Sequence, residues 1–287
     1  MKFYKNDIIE HGRKLGIEQG DFLFITADLL NVRYFNKDIV TTEQDWIDIL
    51  MEWVGKNGDF IVASYTDSFL KFKKDKNIIF HRFSDTTSGS LSKILVNDHR
   101  FIRSRHPTNS YVGFGKKAEL ILNKHDHHST SYSVIDDMLN YNVKNLLLGT
   151  IDKKNAAMSF HQVLHNMGYN YKHPFCNLGQ SYYYDLNNVL RLFTRKDVGG
   201  CSSGCFKLLP ELINLSKSNI GHIGSAKSLL LDGIQANNKI IELLSHDLSN
   251  AKCLDKQCIS CYGRLDNFFF FIPYLLNLSK IFKKLIG

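Results

Sequence analysis

The chain of 287 residues is 44% hydrophobic and 22% charged, which indicates a folded protein with a sizeable core and excludes an intrinsically disordered one. Its formal net charge of +8 suits a phosphate-rich small ligand, whereas no nucleic acid is expected because no basic run alternates with aromatic residues. No apolar run reaches the ~18 residues of a membrane span, and the first residues lack an apolar signal segment, so a cytoplasmic protein is expected.

The spacing of apolar residues alternates between helical and strand-like along the chain. Helices are predicted over residues 4–17, 43–54, 91–96, 207–216 and 234–246, with Thr41 or Thr42 as the N-cap of the second. Strands are predicted over residues 22–26, 60–65, 144–149 and 226–231, and residues 180–193 predict one strand or a hairpin. This alternation is typical of an α/β protein.

Two His residues follow the apolar strand that ends at Gly149. A predicted helix places His161 and His165 four residues apart on one side, just beyond the strand's carboxyl end. That position often carries chemistry in α/β proteins. The pair could also bind a metal, but it would need a third ligand, and no Glu follows His161 as it does in a zincin.

Two polar segments are candidates for binding anions. Residues 86–88, Thr-Thr-Ser, precede a helix, where free backbone N–H groups suit a phosphate or a carbonyl oxygen, although the segment would also serve as an ordinary N-cap. Arg103 and Arg105 suit the phosphates of a coenzyme or form a solvated turn. The run from His125 to His128 lies in a polar stretch and is expected to be a solvated loop rather than a metal site.

The Cys residues form a pattern of their own. Cys253, Cys258 and Cys261 stand in a Cys-x4-Cys-x2-Cys segment, and Cys201, next to Gly200, is the expected fourth ligand, with Cys205 as its competitor. A chain without a secretory signal is expected to keep these thiols reduced. A closed structural zinc site is therefore predicted, with an iron–sulfur cluster or ordinary thiols as the alternatives.

The last part of the chain is expected to form a Cys-rich extension, residues 251–287, packed on a domain of residues 1–250. Its apolar run, residues 268–276, is too short to span a membrane. Residues 279–286 have the pattern of a basic amphipathic helix. Such a helix would contact an anionic membrane surface, bind a partner protein or pack on its own domain.

Several short segments, in this order and spacing, resemble the aminoglycoside 3-N-acetyltransferase family. The matching segments are His106–Ser110 (HPTNS), Gly115–Glu119 (GKKAE), Leu146–Gly149 (LLLG) and Met158–Leu164 (MSFHQVL), and the first helix and strand match at Gly12–Ile17 and Gly20–Leu23. The resemblance extends from about residue 8 to about residue 250. It implies an α/β fold with a mixed central sheet flanked by helices, the antibiotic N-acetyltransferase fold and not the GNAT fold.

The resemblance also implies a function and a set of site residues. It implies transfer of an acetyl group from acetyl-coenzyme A to an amine, and it places the catalytic base at His161. Asp28 is expected to contact the amine substrate because a carboxylate can hold a cationic amine or a sugar hydroxyl, and His165 is a further candidate contact. The residues expected to contact the coenzyme are Thr86, Thr87, Ser88, Arg105 and Ser110.

Departures from the family pattern bear on the substrate. Leu164 stands where the family has a Glu that the resemblance places beside the amino substrate, and Met158 stands where the family has a Thr. The first strand ends in Thr26-Ala27-Asp28 instead of His-x-Ser. We therefore expect an amino sugar, free or nucleotide-linked, as in surface-polysaccharide biosynthesis. The alternatives are an aminoglycoside antibiotic and a non-catalytic metal-binding homologue.

Overall fold

Two β-sheets and their covering helices make up the computed structural model, which describes residues 2–151, 157–169, 178–197, 201–215, 218–255, 258, 261 and 265. The α-helices among these residues are α1 Lys5–Leu15, α2 Leu29–Val32, α3 Ile39–Val54, α4 Ser90–Val96, α5 Lys116–Lys124, α6 Val134–Leu139, α7 Phe160–Asn166, α8 Leu209–Ile213 and α9 Gly233–His246. Short 3-10 helices span Ser202–Leu208 and Leu248–Ala251. The strands are β1 Phe22–Ala27, β2 Asp59–Ala63, β3 Phe69–Leu70, β4 Ile79–Phe80, β5 Ile102–Arg103, β6 Tyr111–Phe114, β7 Lys144–Leu148, β8 Gly179–Tyr184, β9 Leu190–Thr194, β10 Ser218–Ile223 and β11 Ala226–Asp232.

The larger sheet is mixed, as predicted. Its strand order is β10-β11-β7-β1-β2-β6-β5, with β1 parallel to β2 and β7 and the outer pairs antiparallel. In register, Ile25 lies opposite Val62 on one side and Leu146 on the other. The smaller sheet is centred on β8, which pairs with β3, β4 and β9. The three central parallel strands therefore end at the same edge of the larger sheet.

Side chains of β1 alternate between two separate cores, as the two-residue period of a strand requires. Leu23 and Ile25 join the core formed with α1, α3 and α4, in which Trp53 is fully buried. Phe22 and Phe24 point to the other face and join a core with α5 and α6. A further core lies between β11 and helices α7, α8 and α9. Both faces of the sheet are covered, which explains why its central strands are continuously apolar.

The predicted elements are present, with differences at their ends. Helix α3 begins at Ile39 rather than after Thr41 or Thr42, because the carboxylate of Asp38 accepts a hydrogen bond from the Thr41 backbone N–H at 2.8 Å. Residues 180–193 form the hairpin β8–β9. The predicted helix over 207–216 is instead a 3-10 helix followed by the short α8.

Only part of the predicted C-terminal extension lies within the described residues. Leu265 lies in the core that also contains residues of α9. The apolar run 268–276 and the amphipathic segment 279–286 lie outside the described residues, so the domain boundary and the membrane contact stay predictions. Among the described helices, none has the length and apolarity needed to cross a membrane.

Candidate functional site

A cavity of about 490 Å³ opens where the central strands end. Thr26 at the end of β1 and Ala63 at the end of β2 lie at its base. The carboxyl edge of a parallel sheet is the usual place for a ligand in α/β proteins. The polar side chains that line it are those of Thr26, Tyr65, Thr87, Ser88, Asn109, Tyr111, Tyr132, His161, Arg195 and Ser202.

The two ends of the connection from β7 to α7 are tied to the sheet and its core. Gly149 ends the strand with φ +66°, a left-handed conformation that glycine adopts without strain, and a Cβ there would press on the Asp28 carbonyl oxygen. Asn145, fully buried on β7, accepts a hydrogen bond from the Met158 backbone N–H at 2.9 Å. Phe160 then packs into the core. These contacts direct the next residue, His161, to the cavity.

The imidazole of His161 is held on two sides. Its Nε2 atom lies 3.0 Å from the hydroxyl oxygen of Ser202, which also lines the cavity. Its ring stacks on Tyr132, with ring centroids 5.0 Å apart and an angle of 21° between the planes. Only 8% of His161 is exposed. The site therefore presents one oriented imidazole, and Ser202 is an orienting group that the sequence did not reveal.

Arg195, which lines the cavity, forms an ion pair with the buried Asp197, which is not part of the lining. Arg195 Nε donates to Asp197 at 2.6 Å, and Asp197 also accepts from the backbone and hydroxyl of Ser131. Arg195 Nη2 donates to the Tyr132 hydroxyl at 3.4 Å. Burial by itself raises the pKa of Asp197, but Arg195 and Ser131 outweigh it, so this pKa lies below its usual range. Asp197 therefore stays ionised beside Arg195.

Part of the predicted coenzyme segment reaches the cavity. Thr87 and Ser88 line it, whereas Thr86 turns back so that its hydroxyl accepts from the Ser88 backbone N–H at 3.2 Å. Tyr65 fixes this loop because its backbone N–H donates to the Ser88 hydroxyl and its carbonyl accepts from the Thr87 N–H, each at 2.8 Å. The hydroxyls of Thr87 and Ser88 are thus held at the rim by backbone contacts.

Ser110 and Arg105, predicted to contact the coenzyme, lie elsewhere. Ser110 is fully buried, where its hydroxyl accepts from Arg103 Nε at 3.0 Å and donates to the Ser64 carbonyl at 2.6 Å. Burial and the neighbouring Arg82 lower the pKa of Arg103 to about 10. The exposed Arg105 lines a separate cavity of about 350 Å³. Neither residue belongs to the described lining of the cavity beside His161.

The predicted substrate contacts are also outside that lining. Asp28 caps α2 by accepting from the Asn31 backbone N–H at 3.2 Å. His165 is buried on α7, and burial lowers its pKa. Leu164, the residue in place of the family Glu, is fully buried in the core with α9 and does not line the cavity either. The expectation that position 164 meets the substrate does not agree with this packing.

The run from His125 to His128 is only partly the solvated loop that was predicted, because its later residues are exposed or half-buried but its first is not. His125 is buried, with its Nδ1 atom 3.1 Å from the Ser104 hydroxyl oxygen, and it stacks on the buried His106 at 4.9 Å between ring centroids. Burial lowers the pKa of His125 to about 4 and holds that of His106 well below its usual value. His106 accepts from the Asn109 backbone N–H at 3.0 Å. The two neutral rings thereby support the segment that brings Asn109 to the cavity.

The predicted grouping of four Cys residues is confirmed by the distances between their thiols. The thiols of Cys201, Cys253, Cys258 and Cys261 all lie within 4.8 Å of one another. Cys205 is outside this group, since it is buried in the core, where it accepts from the Ala157 backbone N–H at 3.2 Å, and burial raises its pKa to about 12. Within the described ranges, no other three His, Cys, Asp or Glu side chains approach in this way. A third ligand for the His161–His165 pair is therefore absent from that part of the chain.

A mixed sheet whose central parallel strands end at a cavity with an oriented His places this chain among the α/β proteins with a candidate acid–base site at the sheet edge. The sequence profile of the family described as aminoglycoside 3-N-acetyltransferase matches residues 29–245. The chain therefore belongs to this family of acetyl-coenzyme A-dependent N-acetyltransferases, as the sequence motifs predicted. No curated protein matches it in sequence.

Solved structures of similar fold support the same assignment. The apoenzyme of the aminoglycoside acetyltransferase AAC(3)-IVa is 16% identical with a TM-score of 0.72, over 92% of this chain and 97% of that chain. AAC-IIIb in its binary complex with CoASH is 17% identical with a TM-score of 0.69, over 86% and 97%. The YokD protein from Bacillus subtilis is 17% identical with a TM-score of 0.68, over 87% and 96%. At these identities the likeness shows the fold, which confirms the predicted fold class.

Proposed function

We propose that this protein transfers the acetyl group of acetyl-coenzyme A to the amine of an amino sugar that carries an anionic group, such as a nucleotide-linked sugar. The observation that carries this proposal is the cavity at the sheet edge. It combines an oriented His161 with the cationic Arg195, and no carboxylate is among the described residues that line it. Family membership supplies the reaction class. The complex of AAC-IIIb with CoASH supports the acyl donor.

His161 is the proposed base. An ammonium group must lose a proton before its nitrogen can attack the thioester carbonyl, and an imidazole suits that step near neutral pH. The proton passes to His161 directly or through the Ser202 hydroxyl, which touches both the cavity and the ring. The neutral amine then attacks the thioester carbonyl, and the new C–N bond forms as the C–S bond breaks. The nitrogen gives up its second proton to the departing coenzyme thiolate, which leaves as the free thiol, and His161 releases the first proton to solvent. Stacking on Tyr132 keeps the ring oriented, which lowers the entropic cost of reaching the reactive geometry.

Thr87 and Ser88 are the proposed contacts of the coenzyme's pantetheine arm. Their hydroxyls are fixed at the cavity rim by Tyr65, and hydroxyls donate to and accept from amide groups such as those of pantetheine. The Asn109 amide, which lines the same cavity, is a second polar contact for the thioester or the sugar. Binding the thioester end of the coenzyme and the amino group of the sugar in one cavity of about 490 Å³ would place the reacting groups next to the base.

The charge of the lining supports an anionic amino sugar over an aminoglycoside. A polycation would bring several ammonium groups beside Arg195, and each would lose water without gaining a carboxylate from the described lining. A phosphate or carboxylate on the sugar would instead pair with the guanidinium. Leu164 does not contribute to this preference, because it lies in the core.

The second candidate is an aminoglycoside. It is favoured by similar structures such as AAC-VIa bound to sisomicin and an AAC(3)-IVa mutant in complex with a gentamicin. A screen of amino sugars, nucleotide amino sugars and aminoglycosides with acetyl-coenzyme A, followed by release of the free thiol, separates the two. We expect turnover with an anionic amino sugar. Failure of every amine, with acetyl-coenzyme A shown to bind, would contradict the proposal.

A further inference from the structure

We propose that Cys201, Cys253, Cys258 and Cys261 bind one zinc ion, and that this zinc site positions Ser202 against His161. The four thiols come from two segments that are about 50 residues apart in the sequence, and Cys201 directly precedes Ser202. The zinc binding rests on the thiols alone. The effect on His161 rests on the proposed function.

The thiol geometry suits a single tetrahedral ion. Four sulfurs at about 2.3 Å from zinc would lie ~3.8 Å from one another, within the 4.8 Å that bounds every pair here. A cluster of several iron atoms would hold its Cys sulfurs further apart, because the irons stand between them. Four thiolates and no other ligand form a closed structural site, which leaves no position for a substrate.

Backbone groups also suit the ligated state. The Cys253 N–H donates to the Cys261 sulfur at 3.4 Å, and the Cys258 N–H donates to the Asp255 carbonyl at 3.0 Å. Such bonds hold the backbone of Cys253 and Cys258, and the bond to the Cys261 sulfur stabilises negative charge on it, as the partners around a metal's ligands usually do. Cys253 and Cys261 are buried, so ionised thiolates there require a cation close by.

The site connects to the cavity through one short helix. The 3-10 helix that begins at Ser202 is held from the other side by the 3-10 helix Leu248–Ala251. Gly204 lies so close to the Ala251 carbonyl that a Cβ at this position would clash with it. The Lys207 ammonium donates to the Ser249 carbonyl at 3.2 Å. A zinc ion at Cys201 would fix the start of the same helix, and therefore the hydroxyl that touches His161 Nε2.

Metal analysis of the protein purified without chelator tests the zinc site directly. We expect about one zinc per chain, released when a thiol-modifying reagent is added. Less than about a tenth of an equivalent of zinc, or iron with a visible absorption band, would overturn it. This result does not depend on any acetyl-transfer assay, so it stands even if the proposed function fails.

Three variants test the connection to His161. Cys258→Ala should lose zinc and lower the melting temperature, and kcat should fall about 10-fold, a typical effect of losing a partner around a site, with little change in KM. Ser202→Ala should keep zinc and show the same fall in kcat. Cys205→Ala, the matched control in the same 3-10 helix, should keep both zinc and kcat, because that thiol is outside the cluster.

The double variant Cys258→Ala/Ser202→Ala separates positioning from general instability. If zinc acts through Ser202, the double variant should lose no more kcat than Ser202→Ala alone. Additive losses would overturn the positioning role. The NMR signals of the His161 imidazole give a readout that does not depend on turnover. They can be recorded on the parent protein, so the test remains possible if Cys258→Ala is too unstable to assay. They should change when zinc is removed from the parent protein, and unchanged signals would contradict the connection.

Discussion

His161 meets its partners, Ser202 and Tyr132, only in the folded chain, and the proposed chemistry depends on its imidazole. His161→Ala should leave the fold and coenzyme A binding intact and lower kcat by about 10²–10⁴-fold, the usual loss when a general base is removed. His165→Ala, on the same helix but outside the described lining of the cavity, is the control and should keep kcat per folded molecule within a few-fold. Turnover of the His161 variant at the parent rate would remove it from the mechanism.

The stacked pair His106 and His125 should make stability depend on pH. The unfolded chain protonates these rings below about pH 6.5, whereas the folded chain protonates His125 only near its pKa of about 4. Because the unfolded state binds more protons in that window, the free energy of unfolding should fall from pH 6.5 to 4, by on the order of 3 kcal/mol for His125. Above about pH 6.5 the neutral His125 makes its full contribution to the free energy of unfolding.

Urea denaturation at pH 7 and pH 4.5 measures this effect. His125→Gln should reduce the difference in unfolding free energy between the two pH values, since the new side chain does not titrate. His246→Gln, at an exposed position in the last turn of α9, is the control and should retain the parent's difference. An unchanged pH dependence in His125→Gln would show that other groups control acid stability.

The hairpin β8–β9 carries two Arg–Asp pairs that differ in burial. Asp197→Asn leaves the guanidinium of Arg195 buried without its charged partner, which should cost about 3–5 kcal/mol of stability. Asp185→Asn removes the partner of Arg191 at the exposed turn and should change stability little, because solvent screens such pairs. Thermal denaturation of both variants measures the difference. Equal melting temperatures for the two variants would contradict this account of the cavity wall.

The complete burial of Leu164 on helix α7 limits which side chains this position can hold. Leu164→Glu restores the family residue type but places a carboxylate in a fully buried position. We expect loss of folded protein rather than a gain in aminoglycoside turnover, and Leu164→Met, which conserves volume, should cost less than about 1.5 kcal/mol. A soluble, stable Glu variant with improved turnover of gentamicin-like drugs would show that this position does meet the substrate.

Helices, strands and the thiol cluster could be predicted from the sequence where the pattern that marks them involves residues close together in the chain. The apolar strand that ends at Gly149, the helix that carries His161 and the Cys-x4-Cys-x2-Cys spacing all depend on residues close in sequence. Cys201 was chosen as the fourth ligand because a Gly-flanked Cys can approach the other thiols without steric cost. Arg195 and Ser202 were missed because their partners across the cavity, Tyr132 and His161, are distant in sequence, and nothing local marks them. The start of α3 was misplaced because Asp38 competes with the two Thr as its cap.

The whole molecule combines a cavity at the edge of the mixed sheet with a thiol cluster behind one of its walls. Three parallel strands bring their carboxyl ends together, and the helices and the hairpin supply the base and the cation around that edge. In the proposed function, the charge of the described lining, rather than a single substituted residue, distinguishes an anionic amino sugar from a polycationic drug.

The most direct test of the central claim is kcat/KM, measured with acetyl-coenzyme A, for a nucleotide-linked amino sugar, the matching neutral amino sugar and gentamicin. Mass spectrometry should show the acetyl group on nitrogen, in amounts equal to the coenzyme thiol released. The account predicts the highest kcat/KM for the nucleotide-linked sugar, because its phosphates can pair with Arg195. A higher kcat/KM for gentamicin than for both amino sugars would contradict it.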